Sequence, residues 1–168
     1  GPLILNSASY SFMPCIFGSG INSTIIRKKA GSGTGAVLRI GDSASAVMPT
    51  GITIRDLTID GLSKAESDYG IRCYSFVRSY IQNVRVKNAG TTIKMDGGVS
   101  WTISKCEILD GNFGIDCNSF AGVSNAQYPN SCLIEKSVIQ GHANRAIRFN
   151  NGRFLKIADN EMDTCGTV

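Results

Sequence analysis

A six-residue pattern recurs five times along this chain, and it constrains the fold more than any other feature. Each copy begins with isoleucine and carries an aliphatic residue or methionine five positions later. The intervals between copies differ, from 22 residues between Ile81 and Ile103 to 31 residues between Ile103 and Ile134. Constant motifs at unequal intervals indicate constant strands that are joined by loops of variable length. The five copies begin at Ile54, Ile81, Ile103, Ile134 and Ile157.

A second set of short segments lies downstream of the first, and in it apolar residues alternate with charged ones. A period of two is typical of a half-buried β-strand. No segment carries a sustained apolar stripe of helical period, so we expect few or no helices. Each coil therefore supplies at least two short strands. The second strands are predicted at residues 70–73, 92–95, 114–117 and 146–149.

Together the two sets predict a stack of coils. Stacking coils about 4.8 Å apart pairs their backbones and buries a continuous core that one coil alone cannot form. An alternating βα fold needs a helix of about ten or more residues between strands, and the shortest repeat has no room for one. The sequence therefore predicts an all-β, single-stranded parallel β-helix. The predicted interior ladders are Ile54, Ile81, Ile103, Ile134, Ile157; Ile59, Val86, Ile108, Ile139, Met162; and Cys73, Met95, Cys117, Phe149.

The six cysteines form no CxxC pair and have no zinc-like spacing. With 168 residues, 42% of them hydrophobic, the chain can bury a core without disulfide staples. Cys73 and Cys117 have a coil between them in the predicted ladder, too far apart for the Cα separation of about 4.4–6.8 Å in a disulfide. We expect free, buried thiols in one β-helix domain over residues 1–168, with N-terminal coils at 1–50 and five regular coils at 51–168. Both ends interrupt the pattern, which suggests a fragment of a longer chain.

The N-terminal third resembles the first coils of the pectate-lyase-like superfamily. It has an opening strand at residues 1–5, a glycine turn at Gly18-Ser19-Gly20 and an S/T-x-I strand at residues 24–26. Residues 51–61 resemble the recurrent coil of that superfamily, and the Ser, Thr, Asn and Gly content most resembles phage tailspikes and capsule depolymerases. The resemblance implies a right-handed, homotrimeric β-helix that binds and often cleaves bacterial surface polysaccharide, in the virion tail or secreted. The calcium-site aspartates and catalytic arginine of pectate lyases find no match, so no metal or other cofactor is expected.

Charge and hydropathy argue against two classes of partner. The net charge is +4 and no basic stripe with interleaved aromatics appears, so nucleic acid is not an expected ligand. No apolar run approaches the roughly 20 residues of a membrane span. Arg27-Lys28-Lys29 is the one basic run in the sequence, which indicates a solvated turn or attraction to an acidic polysaccharide. Short strands rather than helices follow the glycine clusters, which favours turns over a nucleotide site.

Carboxylates are the candidate catalytic groups, because glycoside hydrolysis usually needs two of them about 5–9.5 Å apart. Outward positions of the repeated strand form columns, in which Glu107 and Glu161 lie two coils apart with backbones about 9.6 Å apart. Asp163 lies beside Glu161, and Asp110 is expected at the end of the Glu107 strand. The two columns are Thr58, Arg85, Glu107, Val138, Glu161 and Asp60, Lys87, Leu109, Gln140, Asp163.

Arg85 and Lys87 are the predicted cationic contacts to sugar, although Arg85 and Glu107 are also positioned for a cross-strand ion pair. A similar column of solvated ion pairs is expected at Arg72, Lys94, Asp116 and Arg148. His142 is expected on a surface turn, with a role as general base as the alternative.

Aromatic side chains would support sugar binding by stacking on a pyranose, and Trp101 and Tyr128 are the predicted contacts. The long polar insertion at residues 118–130 is either a binding loop or a decorative one. Three functions remain open. The first is a tailspike or tail-fibre segment that binds and degrades polysaccharide. The second is a non-catalytic shaft or adhesin, and the third is a free-standing polysaccharide lyase or glycoside hydrolase.

Overall fold

The computed structural model describes residues 3–5, 15–42, 48–65, 67–120 and 128–166, and these form thirteen β-strands and no helix. The all-β prediction is therefore confirmed for this part of the chain, and the same residues include no helix that could cross a membrane. The strands are β1 (Leu3–Leu5), β2 (Cys15–Phe17), β3 (Ile25–Arg27), β4 (Gly35–Ile40), β5 (Thr53–Asp60), β6 (Asp68–Tyr74), β7 (Tyr80–Asp96), β8 (Thr102–Ser104), β9 (Glu107–Asn118), β10 (Asn130–Glu135), β11 (Val138–Phe149), β12 (Arg153–Ala158) and β13 (Glu161–Asp163).

All of the strand pairs are parallel, and they follow three lines of pairing. Face A contains β2, β8, β10 and β12 with the first residues of β5 and β7. Face B contains β3 and β13 with the later residues of β5, the middle of β7 and the first residues of β9 and β11. Face C contains β1, β4 and β6 with the ends of β7, β9 and β11. This is the architecture of a parallel β-helix.

The predicted ladders are confirmed residue by residue. Ile81 is in register with Ile54 on one side and Ile103 on the other, and the pairing continues to the last motif. Members in the middle of the stack are fully buried, whereas Ile157 and Met162 are each 46% exposed. Both lie in β12 and β13, on which no further described strand stacks.

The repeated strand is bent at the third residue of each motif. In a straight strand, residues five apart point to opposite sides because the side-chain period is two. The third residue of each motif has a left-handed backbone, for example φ 51° at Asn83, and this bend separates face A from face B. The bend turns both ends of the motif toward the core. The left-handed residues are Asp56, Asn83, Lys105, Lys136 and Asp159.

Trp101 lies in the core and is fully buried, so the prediction that it offers an exposed stacking surface is wrong. Gly98 provides the space, because a Cβ at that glycine would lie 3.1 Å from Trp101 Cδ1. The prediction of buried free thiols is confirmed at Cys73, Cys106, Cys117 and Cys132. Burial raises the pKa of the Cys106 and Cys132 thiols to about 12, so both stay protonated at neutral pH.

The left-handed corner generates a stability prediction. Lysine at a left-handed position is strained by about 1–2 kcal/mol, whereas asparagine tolerates that conformation better. Lys136→Asn is therefore expected to raise the free energy of unfolding by up to about 1 kcal/mol in urea titrations. Lys156→Asn is the matched control, since Lys156 lies within β12 and has no left-handed backbone. It should leave stability unchanged or lower it, because asparagine is depleted in strands. Equal effects of the two substitutions would contradict the role of the corner.

Candidate functional site

The predicted acid column on face B exists, but its first carboxylate is already engaged. Val138 stands between Glu107 and Glu161 in register, as the sequence predicts. Arg85 Nε donates to Glu107 Oε2 at 2.6 Å, and Arg85 Nη1 donates to Asn22 Oδ1 at 2.9 Å. The cross-strand ion pair is thus present, and Arg85 orients the Glu107 carboxylate. Glu161 is exposed and has no ion pair with any described residue.

The remaining predicted residues do not converge on one point. Asp110 occupies a left-handed corner within β9 rather than the end of a strand, and its carboxylate is 3.9 Å from Lys64 Nζ. Asp163 accepts a 3.4 Å hydrogen bond from Gln140 on face B. Lys87 Nζ lies 4.0 Å from the buried Asp60.

Tyr128 is exposed and lies two residues before β10. Strand β10 belongs to face A, whereas the candidate acids Glu107 and Glu161 belong to face B. Residues 121–127 of the predicted binding insertion lie outside the described residues.

Face C carries a second column that the structure makes more prominent. Lys94 Nζ and the Arg148 guanidinium both bind the carboxylate of Asp116, with N–O distances of 2.5–2.7 Å. Arg72 Nε donates to Asp96 Oδ2 at 2.9 Å. We call these five residues the face C ladder.

The expectation that this column is solvated is wrong for its anions. The side chain of Asp116 is 2% exposed and that of Asp96 is 9% exposed, whereas those of Arg72 and Arg148 are 28% and 30% exposed. Three cations face two carboxylates, so the ladder has one excess positive charge. Because the carboxylates lie underneath, the accessible edges of the ladder belong to the guanidinium groups.

Aromatic rings support these guanidinium groups. The Arg72 guanidinium carbon lies 4.6 Å from the ring centre of Tyr69 and 4.7 Å from that of Tyr74. Arg148 lies 4.3 Å from the ring centre of Phe113. Contacts of this kind are attractive and hold the cation in one orientation. Sequence reasoning missed them, because Arg148 and Phe113 come from neighbouring coils and meet only through the register.

The charge state of Asp116 follows from its partners. Burial opposes ionisation, but hydrogen bonds from Arg148 and Lys94 and their positive charges outweigh it, so the pKa of Asp116 is lowered. Asp116 is therefore an anion at neutral pH and has no proton to donate. The arrangement suits binding of an anionic ligand by its outer cations better than acid–base catalysis by its carboxylates.

His142 is buried in β11, so the expectation of a surface-turn histidine is wrong. Its imidazole lies against Gly111 and Gly114, at which an added Cβ would be 3.2 Å and 3.1 Å from the ring. Small residues in one coil thus accommodate a large one in the next. Among the described residues no group of three or more His, Cys, Asp or Glu side chains is arranged to hold a metal ion.

No family model matches the chain, and no curated protein matches it. Two solved structures are similar. The A-module of the mannuronan C-5 epimerase AlgE4 of Azotobacter vinelandii matches with a TM-score of 0.55 and 16% identity, over 77% of this chain and 44% of the module. ORF18 of Geobacillus virus E2 matches with a TM-score of 0.60 and 15% identity, over 87% of this chain and 28% of that protein. The chain therefore spans less than half of either neighbour, and the likeness shows the fold.

The ladder predicts a pH-dependent stability. Removing one partner from a buried ion pair typically costs about 3–5 kcal/mol, so Asp116→Asn should lower the free energy of unfolding by about that amount at pH 7. Because the folded-state pKa of Asp116 is below 3.8, the contribution is complete above that value. It should be lost as the pH falls from 3.8 through the lower folded-state pKa. Urea titrations from pH 7 to pH 2.5 measure the difference.

Asp159→Asn is the matched control, since Asp159 is an exposed corner residue at which asparagine is equally well tolerated. It should change stability by less than about 0.5 kcal/mol at every pH. A cost for Asp116→Asn that stays constant to pH 2.5 would contradict the ionic role of Asp116.

Proposed function

We propose that this chain is the polysaccharide-binding β-helix of a phage tailspike or tail fibre, and that the face C ladder contacts an acidic bacterial surface polysaccharide. The observation that carries the proposal is the layering of the ladder, with carboxylates buried and guanidinium groups partly exposed. Arg72 and Arg148 are three coils apart in the pairing order, which is about 14 Å at about 4.8 Å per coil. A polymer lying along the stack meets both guanidinium groups.

The two structural neighbours support a polysaccharide ligand and a phage origin. One is named as an epimerase of mannuronan, a polyuronate, and the other is a phage protein. The phage neighbour is compatible with a location in the virion tail. A homotrimer is part of the proposal on the resemblance to tailspikes alone. A secreted polysaccharide lyase or hydrolase is the alternative for the same fold.

Cleavage of the polysaccharide is a second proposed activity, and face B supplies its groups. Glu107 and Glu161 are two strands apart with one short side chain between them. Side chains that lean toward each other from this spacing reach the carboxylate separation of about 6.5–9.5 Å of inverting glycosidases. Asp163 follows Glu161 in the same strand, and Arg85 supplies positive charge at Glu107. Asp110 and Lys87 contact Lys64 and Asp60 instead and lie outside the pair.

Binding is tested on a panel of purified bacterial capsules and O-antigens, both acidic and neutral. We expect acidic members to bind, with affinity that falls as salt rises. Arg72→Gln should weaken binding by about tenfold, as expected for loss of a charge-assisted hydrogen bond. Arg153→Gln removes an exposed charge on face A and should leave affinity unchanged. Equal binding of neutral and acidic members, or equal loss in both variants, would contradict the ladder as the contact.

Cleavage is tested by reducing-sugar release from any polysaccharide that binds. Glu107→Gln and Glu161→Gln should each lower the rate by about 10²–10⁴. Glu135→Gln, which makes the same chemical change on face A, should retain full activity. Full activity in both face B variants would eliminate this pair as the catalytic groups. Binding without release by the unaltered protein would favour the non-catalytic shaft or adhesin.

A further inference from the structure

A groove of about 490 Å³ lies at the corner between faces B and C. Neither the face C ladder nor the face B acids line it. Its volume falls within the roughly 300–1,000 Å³ that is typical of ligand sites. Its polar lining comes from Lys64, Asn112, His142 and Thr164.

Glycines keep the corner open. Gly141 has φ +72°, a conformation that favours glycine, and an added Cβ would lie 2.9 Å from Asp110 Oδ1. The carboxylate of Asp110 therefore lies over Gly141 at the edge of the groove. Gly111 also lines the groove, and a Cβ there would lie 2.6 Å from the carbonyl oxygen of Ala89. Side chains at either position would narrow the groove and disturb the corner.

The lining residue His142 carries a buried polar atom that has no hydrogen-bond partner. The residue is 1% exposed, and its Nε2 donates to the Ile108 carbonyl oxygen at 3.0 Å. Its Nδ1 is then an acceptor, and it has no hydrogen-bond partner. A buried polar atom without a partner is uncommon in folded proteins. This atom lies next to Gly111, which itself lines the groove.

The groove has no net charge. Lys64 Nζ lies 3.9 Å from Asp110, so the two opposite charges compensate each other. Burial lowers the pKa of His142, which keeps the imidazole neutral at pH 7, although the hydrogen bond to Ile108 and the charge of Asp110 oppose this. This neutrality contrasts with the excess positive charge of the face C ladder.

The groups around the groove match the chemistry of a sugar ring. Lys64 and Asn112 supply donors, Asp110 and the Asn112 carbonyl supply acceptors, and Thr164 supplies a hydroxyl group. Ala143 and the glycine Cα atoms provide apolar surface for the C–H face of the ring. Asn112 directly precedes Phe113, on which Arg148 of the ladder lies. The groove and the ladder are thus neighbouring parts of one surface.

We propose that the corner groove binds a neutral, hydroxyl-bearing sugar unit of the same polysaccharide whose acidic units contact the face C ladder. This inference rests on the proposed function and makes it more specific. The recognised polymer is a heteropolysaccharide whose repeat contains both an acidic and a neutral sugar.

Filling the groove tests the proposal without altering the core. Ala143 is exposed and lines the groove, so Ala143→Trp places a large side chain there. It should weaken binding of the recognised heteropolysaccharide by about tenfold or more, since several hydrogen bonds are lost. Ala30→Trp is the matched control at an exposed turn far along the chain, and it should bind normally. Polygalacturonate, which lacks neutral sugars, is the comparison ligand, and Ala143→Trp should bind it as the unaltered protein does.

Lys64→Ala provides a second variant with a smaller structural change, and it should weaken binding of the heteropolysaccharide by about fivefold. Urea titration of each variant checks that the fold is intact. If Arg72→Gln weakens binding while Ala143→Trp and Lys64→Ala do not, the groove inference is overturned and the ladder stands. An equal loss of polygalacturonate binding and heteropolysaccharide binding in Ala143→Trp also overturns the inference, because the effect is then not specific to a neutral sugar. Absence of binding to the whole panel overturns the proposed function together with the groove.

Discussion

Parallel backbone pairing between successive coils is the interaction on which the rest of this structure depends. It holds equivalent residues about 4.8 Å apart along the stack. The size and charge of each side chain must therefore be compatible with those of the equivalent side chain in the next coil. Isoleucine above isoleucine produces the core, as in the ladder from Ile54 to Ile134. Small above large also produces it, as where Gly111 and Gly114 make room for His142 in the next coil. A core built in this way needs no second layer of secondary structure, because each coil inside the stack is covered by the coils on either side.

The same pairing explains why charge is concentrated on face C. Register places Asp116 between Lys94 and Arg148, so two cations from neighbouring coils share one carboxylate. The carboxylate and Lys94 are both buried, and the Arg148 guanidinium is the partner that remains partly exposed. The hydrogen bonds and opposite charges of these partners offset part of the cost of burying the carboxylate. The face C ladder contains both positive and negative side chains, but the accessible ones are positive. The proposed recognition of an acidic polymer follows from this difference.

Face B shows how register constrains a proposed mechanism. The column of Glu107, Val138 and Glu161 was predictable because it needed only the motif and its repeat. Whether Glu107 is available depends on where the Arg85 side chain lies, which the repeat does not specify. The structure places that guanidinium on both Glu107 and Asn22. Asn22 lies on the early segment that crosses face B, and nothing in the motif indicates that this segment passes there.

The repeat by itself determined the parallel β-helix and its interior ladders, including the free thiols. It also determined the order of residues in each surface column. All of these follow because equivalent residues of successive coils stack on one another. Only the tertiary structure decided which residues of a column are buried and where the strands bend. The odd spacing within each motif is compatible with two inward ends only if the third residue is left-handed, and the polar residues at that position, such as Asn83, were the available signal. Trp101 and His142 were misplaced for a different reason. The burial of His142 depends on Gly111 and Gly114 in the adjacent coil. Trp101 packs against Gly98 of its own coil. This size complementarity exists only once the chain is folded.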